Sequence, residues 1–417
     1  MPSDRHSFVW IWLPGKTEPV VAGRLDADER SGTAPFRFTY GQSYLGRSDA
    51  IPLFLPELPL RAGPQLPHAG DDAAGCILDS GPDAWGQRVL RQRLANDPAY
   101  VDGDPDRLDM LLASGSDRTG ALDFQISATT YVPRTDDSAP LEQLLDAAAL
   151  IEAGEPLPPA LDNALLHGSS IGGARPKARL HEGERSWIAK FASSTDHYPV
   201  VQGEFVAMEL AHRVGLDVAR VRIEMSNGRP VLLVERFDRT GNGGRRAVVS
   251  ALTVLGLSEI EARYASYADL ATEIRHRFVD SRRTLRELFA RIVFSVLISN
   301  TDDHPRNHAA FWDGSQLTLT PAYDLCPQPR AGGETRQVMA IGSDGWRMSQ
   351  LAGCVERAGT YLLSEADARE IVDHQLETIR NSWDEVCDQA QLGAAERDRF
   401  WGRQFLNPYV LDGYGRG

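Results

Sequence analysis

The segment with the clearest potential for chemistry is NTDDHPRN, which runs from Asn300 to Asn307. It is followed by AAFWDGSQLTLT, in which the Asp313-Gly314 pair is typical of a tight turn between two strands. A hairpin brings its two ends together, so we expect Asp324, just beyond the second strand, to lie near Asp302 and Asn307. The sequence therefore predicts two carboxylates and an amide at the open end of one hairpin.

This order of residue types fits phosphoryl transfer. In kinases, one Asp accepts the proton of the attacking hydroxyl, a downstream Asn holds a metal, and a second Asp holds Mg²⁺ on the phosphates. Oxygen ligands of this kind suit Mg²⁺. Asp302 is thus the candidate base, and Asn307 and Asp324 are candidate metal ligands. A plainer interpretation is that these side chains only cap a helix and shape turns. It can explain any one of the residues taken alone, but it explains their ordered set less well.

A competing interpretation makes the same segment a transition-metal site or the centre of a two-metal phosphohydrolase. Its ligands would be Asp302, Asp303, His304 and His308. The two histidines are four residues apart and would share a face if the segment were helical. Pro305 follows His304 directly and strand-like residues follow His308, which disfavours such a helix.

A second candidate segment is GSSIGGARPK, from Gly168 to Lys177. The small residues Gly172, Gly173 and Ala174 would let backbone N–H groups approach an anion closely. The segment has neither the GxxxxGK[ST] nor the GxGxxG spacing. Taken alone, it is better explained as an ordinary turn.

Lys190 stands within the apolar segment SWIAKFA. In kinases a strand lysine contacts the nucleotide phosphates and pairs with a glutamate of the next helix. Glu204, expected in the first turn of that helix, is the preferred partner, although a solvated surface pair fits equally well. Glu235 and Phe237 end the last strand before a glycine-rich stretch, where the connector of a two-lobed kinase binds adenine. Phe237 could equally be a core residue.

The elements that must position these residues follow from periodicity. Leu285 to Ile298, started by Thr284, has the apolar spacing of a deeply buried helix that delivers the chain to Asn300. Short β-type segments dominate the N-terminal part, and the strands expected in the whole chain are 8–13, 20–25, 36–41, 178–180, 186–192 and 229–237. Further helices are expected at 85–95, 141–153 and 204–215. The segment 108–124 should contain a helix, a turn and a strand, and 241–244 should be a flexible hinge.

Composition sets the class of protein. The chain has 417 residues, 42% hydrophobic and 24% charged, which excludes a fibrous or fully disordered protein. A net charge of −14 excludes a surface that binds nucleic acid throughout. The four scattered cysteines match neither a disulfide framework nor a zinc site, and no apolar stretch is long enough to span a membrane. We expect a soluble, cytoplasmic protein.

Five motifs in this order resemble the HipA family of bacterial serine/threonine kinases, the toxins of HipA–HipB modules: SIGGARPKA, WIAKF, VERFDR, NTDDHPRN and LTPAYDL. PDAWGQRVL and GSDRTGALDF extend the resemblance to the N-terminal part. It implies an α+β, two-lobed protein-kinase-like fold with a β-rich N-terminal subdomain and a mostly helical C-terminal lobe. The expected boundaries are 1–133 for this subdomain, 134–160 for a linker, 161–240 for the ATP-binding region and 241–417 for the helical lobe.

The resemblance also implies roles for individual residues. Asp302 would be the catalytic base, with Lys190 on the ATP phosphates, and Ser170 would be the autophosphorylated serine, although Ser169 offers a second hydroxyl. Asn307 and Asp324 would bind Mg²⁺. The residues expected around ATP are Ile171, Gly172, Gly173, Ala174, Lys177, Lys190, Glu235, Phe237, His304, Asn307 and Asp324.

The resemblance further implies partners. These are a HipB-like helix-turn-helix antitoxin, operator DNA reached mainly through that antitoxin, and a protein substrate of the translation machinery, with aminoacyl-tRNA synthetases as the known class. An active kinase toxin is the leading hypothesis. A metal-dependent phosphohydrolase and a non-catalytic HipA-like scaffold remain as alternatives.

Overall fold

The computed structural model describes residues 5–27, 36–95, 105–134, 140–155, 175–330 and 332–415. The chain forms two compact units. The first contains Met1–Thr195, Met225–Val249 and Phe311–Ser315, and the second contains Asp196–Glu224, Ser250–Ala310 and Gln316–Gly417. The chain thus passes between the units several times, whereas the predicted domains are consecutive. The predicted boundaries stay predictions.

The N-terminal part of the first unit is built on an antiparallel sheet with the order β4-β3-β2-β1-β5. The three strands predicted at its start are confirmed, and Val9, Phe38 and Phe124 are buried in its core. Its strands are β1 (His6–Ile11), β2 (Val20–Asp26), β3 (Arg37–Tyr40), β4 (Pro64–Gln65) and β5 (Leu122–Gln125). The helices of this part are α1 (Gln42–Leu45), α2 (Gly75–Leu78), α3 (Ala84–Ala95) and α4 (Arg107–Ala113).

The next helix, α5 (Leu141–Ala153), has the predicted bounds. It ends at Gly154, whose φ of 75° is the left-handed conformation that glycine adopts without steric cost. Its buried face, including Leu144 and Ile151, belongs to the same apolar core as Trp85 and Trp187. The region predicted as a linker therefore contributes a helix to a hydrophobic core.

A second sheet has the order β6-β7-β9-β8, formed by β6 (Lys177–Glu182), β7 (Arg185–Phe191), β8 (Val221–Ser226) and β9 (Arg229–Glu235). β7 pairs antiparallel with β6 and β9, and Lys177 lies directly opposite Lys190. Strand β8 was not predicted. Its signal was present, because the Asn227-Gly228 pair that follows it is a strong hairpin signal.

The second unit is mainly helical, as predicted. Its helices are α6 (Val200–Arg213), α7 (Ala251–Val254), α8 (Tyr267–Arg277), α9 (Ser281–Leu297), α10 (Leu351–Glu356), α11 (Glu365–Gln389) and α12 (Ala394–Phe400). Short 3₁₀ segments occur at Glu261–Tyr264, Pro305–Asn307, Ala358–Tyr361 and Pro408–Leu411, and β10 (Ala247–Ser250) precedes α7. None of the helices that the structure describes has both the length and the apolar character needed to cross a membrane.

Two local predictions were wrong. α9 begins at Ser281, capped by the side chain of Asp280, and not at Thr284, whose hydroxyl bonds back to the Asp280 carbonyl inside the helix. α6 begins at Val200, so Glu204 lies in its second turn rather than its first. The glycine-rich stretch after Arg239 forms a hydrogen-bonded turn between Thr240 and Gly244, and its role as a flexible hinge stays a prediction.

Candidate functional site

The apolar helix α9 holds the start of the candidate catalytic loop. Leu288 and Ile292 have no exposed surface, and the backbone N–H of Asn300 donates to the carbonyl of Ser295 at 2.8 Å. Ser299 between them has a φ of 53°, a left-handed conformation that turns the chain sharply out of the helix. The sequence prediction that a rigid helix delivers the chain to Asn300 is confirmed.

The predicted hairpin follows this loop as β11 (Ala309–Trp312) and β12 (Leu317–Leu319). Gly314 in its turn has a φ of 103°, which L-residues rarely adopt. At the open end, the N–H of Thr320 donates to the carbonyl of Ala309 at 3.0 Å.

Beyond the hairpin, the hydroxyl of Tyr323 donates to the carbonyl of Arg306 at 2.7 Å. Tyr323 immediately precedes Asp324, and Arg306 immediately precedes Asn307. The hairpin thus brings together the segments that carry the two candidate metal ligands. That the side chains of Asp324, Asn307 and Asp302 converge on one ion stays a prediction.

Asp302 and Asn307 lie within one short turn of the chain. The side-chain amide of Asn307 donates to the backbone carbonyl of Asp302 at 3.5 Å, and the Asp302 side chain is exposed. An exposed carboxylate is accessible to an incoming hydroxyl, as a general base must be. The amide oxygen of Asn307 and the carboxylate of Asp324 are hard ligands of the type that Mg²⁺ takes together with phosphate oxygens and water.

In contrast to Asp302, the side chain of Asp303 faces the protein interior, and the residue is 2% exposed. Its Oδ2 accepts hydrogen bonds from Tyr267 at 2.5 Å and Ser295 at 3.3 Å. Nε2 of His308 lies 3.0 Å from Oδ1, close enough to pair although not aligned for a good hydrogen bond. Burial alone would raise the pKa of Asp303, but His308 and the donated hydrogen bonds lower it overall. Burial and the Asp303 charge raise the pKa of Tyr267, so it remains a donor.

The pairing of Asp303 with His308 involves two of the four proposed ligands of the alternative transition-metal site. Among the residues that the structure describes, no group of three or more His, Cys, Asp and Glu side chains is arranged to hold a metal ion. Asp303 and His308 are engaged with each other, and no helical turn joins His304 to His308 because Pro305–Asn307 is a 3₁₀ segment. The structure therefore does not favour a transition-metal centre in this loop.

The predicted phosphate-contacting residues are divided between described and undescribed parts of the chain. Ser169, Ser170 and the residues Ile171, Gly172, Gly173 and Ala174 lie outside the described residues. Lys190 is half-buried in β7 between Ala189 and Phe191, which are buried. Its pairing with Glu204 and its contact with ATP stay predictions.

Lys177 is the first residue of β6 and is 1% exposed. Its Nζ lies 2.7 Å from Oδ2 of Asp83. The resemblance implied that Lys177 lies at ATP. The structure instead shows an internal carboxylate partner for its charge, and the ATP contact stays a prediction.

The predicted adenine connector begins at Glu235, the last residue of β9. The ring of Phe237 packs edge-to-face against Phe311 with ring centres 5.8 Å apart. A polar cavity of about 540 Å³ lies beside Glu235 and is lined by Glu182, Glu184, Arg185, Ser186, Glu235, Arg236, Arg239 and Gly241. The contact with Phe311 is compatible with the core role for Phe237 that the sequence left open.

Sequence reasoning missed a buried ionic network that anchors this connector. Asp117 Oδ2 lies 3.0 Å from Arg236, and Asp117 Oδ1 lies 2.6 Å from Arg239. Asp238 contacts the same two arginines at 2.8 and 2.9 Å and accepts the N–H of Gly120 at 2.8 Å. Burial would raise the pKa of Asp238, but the two arginines lower it to about 2. The signal lay in two motifs, GSDRTGALDF and VERFDR, whose acidic and basic residues are partners.

Known protein families match this chain in both halves. The model of the HipA-like C-terminal domain matches residues 169–383, and that of the HipA N-terminal domain matches residues 16–125. "Putative kinase Y4mE" of Sinorhizobium fredii is 27% identical over 347 residues, covering 76% of each chain. "Serine/threonine-protein kinase toxin HipA" of Shewanella oneidensis is 28% identical over 184 residues, 37% of this chain and 42% of that protein.

The chain is also similar to a solved structure, the Shewanella oneidensis HipA in complex with HipB and its operator DNA. The match covers 97% of this chain and 99% of the other with a TM-score of 0.67 at 19% identity, which is evidence for the fold. It confirms the predicted α+β, kinase-like class. Because the C-terminal family model alone spans more than half of the sequence, the chain belongs to the HipA family.

Proposed function

We propose that the protein is a MgATP-dependent serine/threonine protein kinase that acts as the toxin of a toxin–antitoxin module. The observation that carries this proposal is the hydrogen bond from the Tyr323 hydroxyl to the Arg306 carbonyl. It holds the segment that leads into Asp324 beside the segment that leads into Asn307. The names of the relatives, kinases and a kinase toxin, support the same reaction class.

In the proposed mechanism, the exposed Asp302 accepts the proton of the substrate hydroxyl as that oxygen bonds to the γ-phosphorus of ATP, the bond from this phosphorus to the β,γ-bridging oxygen breaks, and ADP leaves. Asn307 and Asp324 would hold Mg²⁺, and the ion would supply charge neutralisation on the phosphates. Lys190 contacts the phosphates, and Glu235 and Phe237 lie at the adenine. The buried network of Asp117 and Asp238 keeps the connector between β9 and the following turn in place.

The substrate class that we propose is a protein of the translation machinery, with an aminoacyl-tRNA synthetase as the first candidate. The proposed partner is a HipB-like antitoxin that carries the protein to operator DNA. The Shewanella oneidensis complex supports such an assembly, and a net charge of −14 suits a protein that reaches DNA through a basic partner.

The test uses purified full-length protein incubated with MgATP and with candidate synthetases, followed by mass spectrometry for phosphate. Asp302→Ala should bind ATP like the wild type and lose about 10²–10⁴-fold in transfer rate. Expression of the wild type, but not of Asp302→Ala, should arrest growth. Growth arrest by both variants would show that toxicity does not depend on phosphoryl transfer, and the scaffold alternative would then stand.

A further inference from the structure

Asp303 stands next to the proposed base but takes no part in the proposed chemistry. Its carboxylate is buried and has three partners from three different parts of the second unit. Tyr267 is the first residue of α8, Ser295 lies in the last turns of α9, and His308 immediately precedes β11. Their distances to the carboxylate are 2.5, 3.3 and 3.0 Å.

Other contacts hold the loop at its two ends and at Arg306, whose carbonyl accepts the hydroxyl of Tyr323 and whose side chain pairs with Glu259. Asn300 is tied to α9 through the Ser295 carbonyl at 2.8 Å, and the carbonyl of His308 accepts the N–H of Ala251 at 2.7 Å. Between these points the carbonyl of Thr301 accepts the N–H of Val338 at 3.2 Å. The Asp303 side chain is the link that holds the next part of the loop from the inside.

We propose that Asp303 is a positioning residue that orients Asp302 by tying the catalytic loop to α8, α9 and His308. The inference rests on the proposed function, because it assigns Asp302 the role of base. The Asp303 side chain is buried and that of its neighbour Asp302 is exposed, so anchoring Asp303 inside the protein fixes the backbone from which Asp302 projects outward. From the sequence, Asp303 was a candidate only for the alternative metal site.

Three polar groups converge on the one buried carboxylate of Asp303. Removing its charge is unfavourable, because it leaves the buried hydroxyls of Tyr267 and Ser295 with a poorer acceptor and removes the negative charge that faces His308. The loop can relieve this cost only by moving. Displacing a reacting group by about 1 Å costs about 10²-fold in rate, without any need for weaker nucleotide binding.

The experiment compares kcat, the KM for ATP and thermal stability for the wild type and Asp303→Asn. The variant keeps the volume and removes the charge, and we expect kcat to fall about 10- to 100-fold while the KM for ATP changes less than about twofold. Tyr267→Phe should give a smaller loss of kcat. Combined with Asp303→Asn, it should add little, because both changes break the same contact.

The chain offers a matched control in the same unit. The hydroxyl of Tyr414 donates to Asp373 at 2.7 Å, which is the same chemical pair on an exposed surface. Asp373→Asn and Tyr414→Phe should leave kcat unchanged. An equal fall in kcat for these control variants would show that the effect is not specific to the loop.

The outcomes separate this inference from the proposed function. A wild-type protein without phosphoryl transfer would overturn the proposed function. An active wild type together with a folded Asp303→Asn of normal kcat would overturn the positioning role alone. If Asp303→Asn does not fold, Tyr267→Phe decides: a lower kcat at unchanged ATP affinity supports the role, and an unchanged kcat overturns it.

Discussion

The ammonium of Lys177 lies 2.7 Å from a carboxylate oxygen of Asp83, a residue 94 positions earlier in the chain. The indole N–H of Trp85, two residues beyond Asp83, donates to the Lys177 carbonyl at 3.1 Å. Burial raises the pKa of Asp83, and the Lys177 charge only partly offsets this effect. The first strand after the predicted phosphate loop is thus fastened to the PDAWGQRVL motif.

This pair predicts that Lys177 contributes to stability. Lys177→Met and Asp83→Asn should each lower the free energy of unfolding by about 3–5 kcal/mol, because each leaves an uncompensated buried partner. The double variant should lose less than the sum of the two. Urea unfolding measures these differences.

The exposed pair of Arg229 and Asp146, 3.0 Å apart in the same unit, is the control. Asp146→Asn should cost less than about 1 kcal/mol. A Lys177→Met protein that unfolds like the wild type but binds ATP more weakly would instead support the phosphate contact expected from the sequence.

Asp324→Asn should abolish the Mg²⁺ dependence of ATP binding, because it removes the only carboxylate of the proposed ligand pair. The hairpin should stay intact, since its hydrogen bonds at the open end involve Ala309 and Thr320. Calorimetry with ATP, with and without Mg²⁺, measures the effect. Asp313→Asn, in the turn of the same hairpin, is the control. Equal affinities of wild type and Asp324→Asn under both conditions would remove Asp324 from the metal site.

Asp238 should make the free energy of unfolding depend on pH in the acidic range. Its pKa is held at about 2 against an ordinary 3.8, so its contribution is full above about pH 4 and is lost as the pH falls toward about 2. The shift corresponds to about 2 kcal/mol. Asp238→Asn should therefore unfold at lower urea than the wild type at neutral pH, and the difference should narrow at about pH 3.

Asp344 is the control for this acid titration. Its pKa is also lowered to about 2 by Arg357, but it lies on the surface. Asp344→Asn should change the urea midpoint little at any pH, because exposed pairs contribute little. A difference between the wild type and Asp238→Asn that is the same at both pH values would show that Asp238 does not titrate as the network requires.

We expect MgATP to produce phosphate on Ser170, which lies outside the described residues. A phosphate there adds about −1.5 to −2 charges next to the predicted phosphate loop, so it should repel ATP and switch the kinase off. Arg175 or Lys177 could instead pair with this phosphate and retain the modified loop at the site.

Peptide mass spectrometry and ATP titration of the phosphorylated protein test this switch, with Asp302→Ala as the control that should stay unmodified. Phosphate on Ser169 would shift the site by one residue. A protein phosphorylated at Ser170 that binds ATP as tightly as the unmodified form would exclude the mechanism.

The sequence by itself determined the features that depend on neighbouring residues. The bounds of α5, the buried face of α9 and the hairpin around Gly314 all follow from apolar period and turn chemistry, which act over a few residues. The order of Asp302, Asn307 and Asp324 along this hairpin was enough to predict a kinase-type site, because a hairpin joins its own ends.

Only the tertiary structure decided which charged groups are partners and which way they face. Asp302 and Asp303 are identical in type and adjacent, yet one is exposed and the other is buried against Tyr267. The sequence around Lys177 did not indicate Asp83, which the fold places beside it. Burial and pairing arise from segments far apart in the chain. The residues next to a charged side chain therefore do not indicate which distant residue will neutralise its charge.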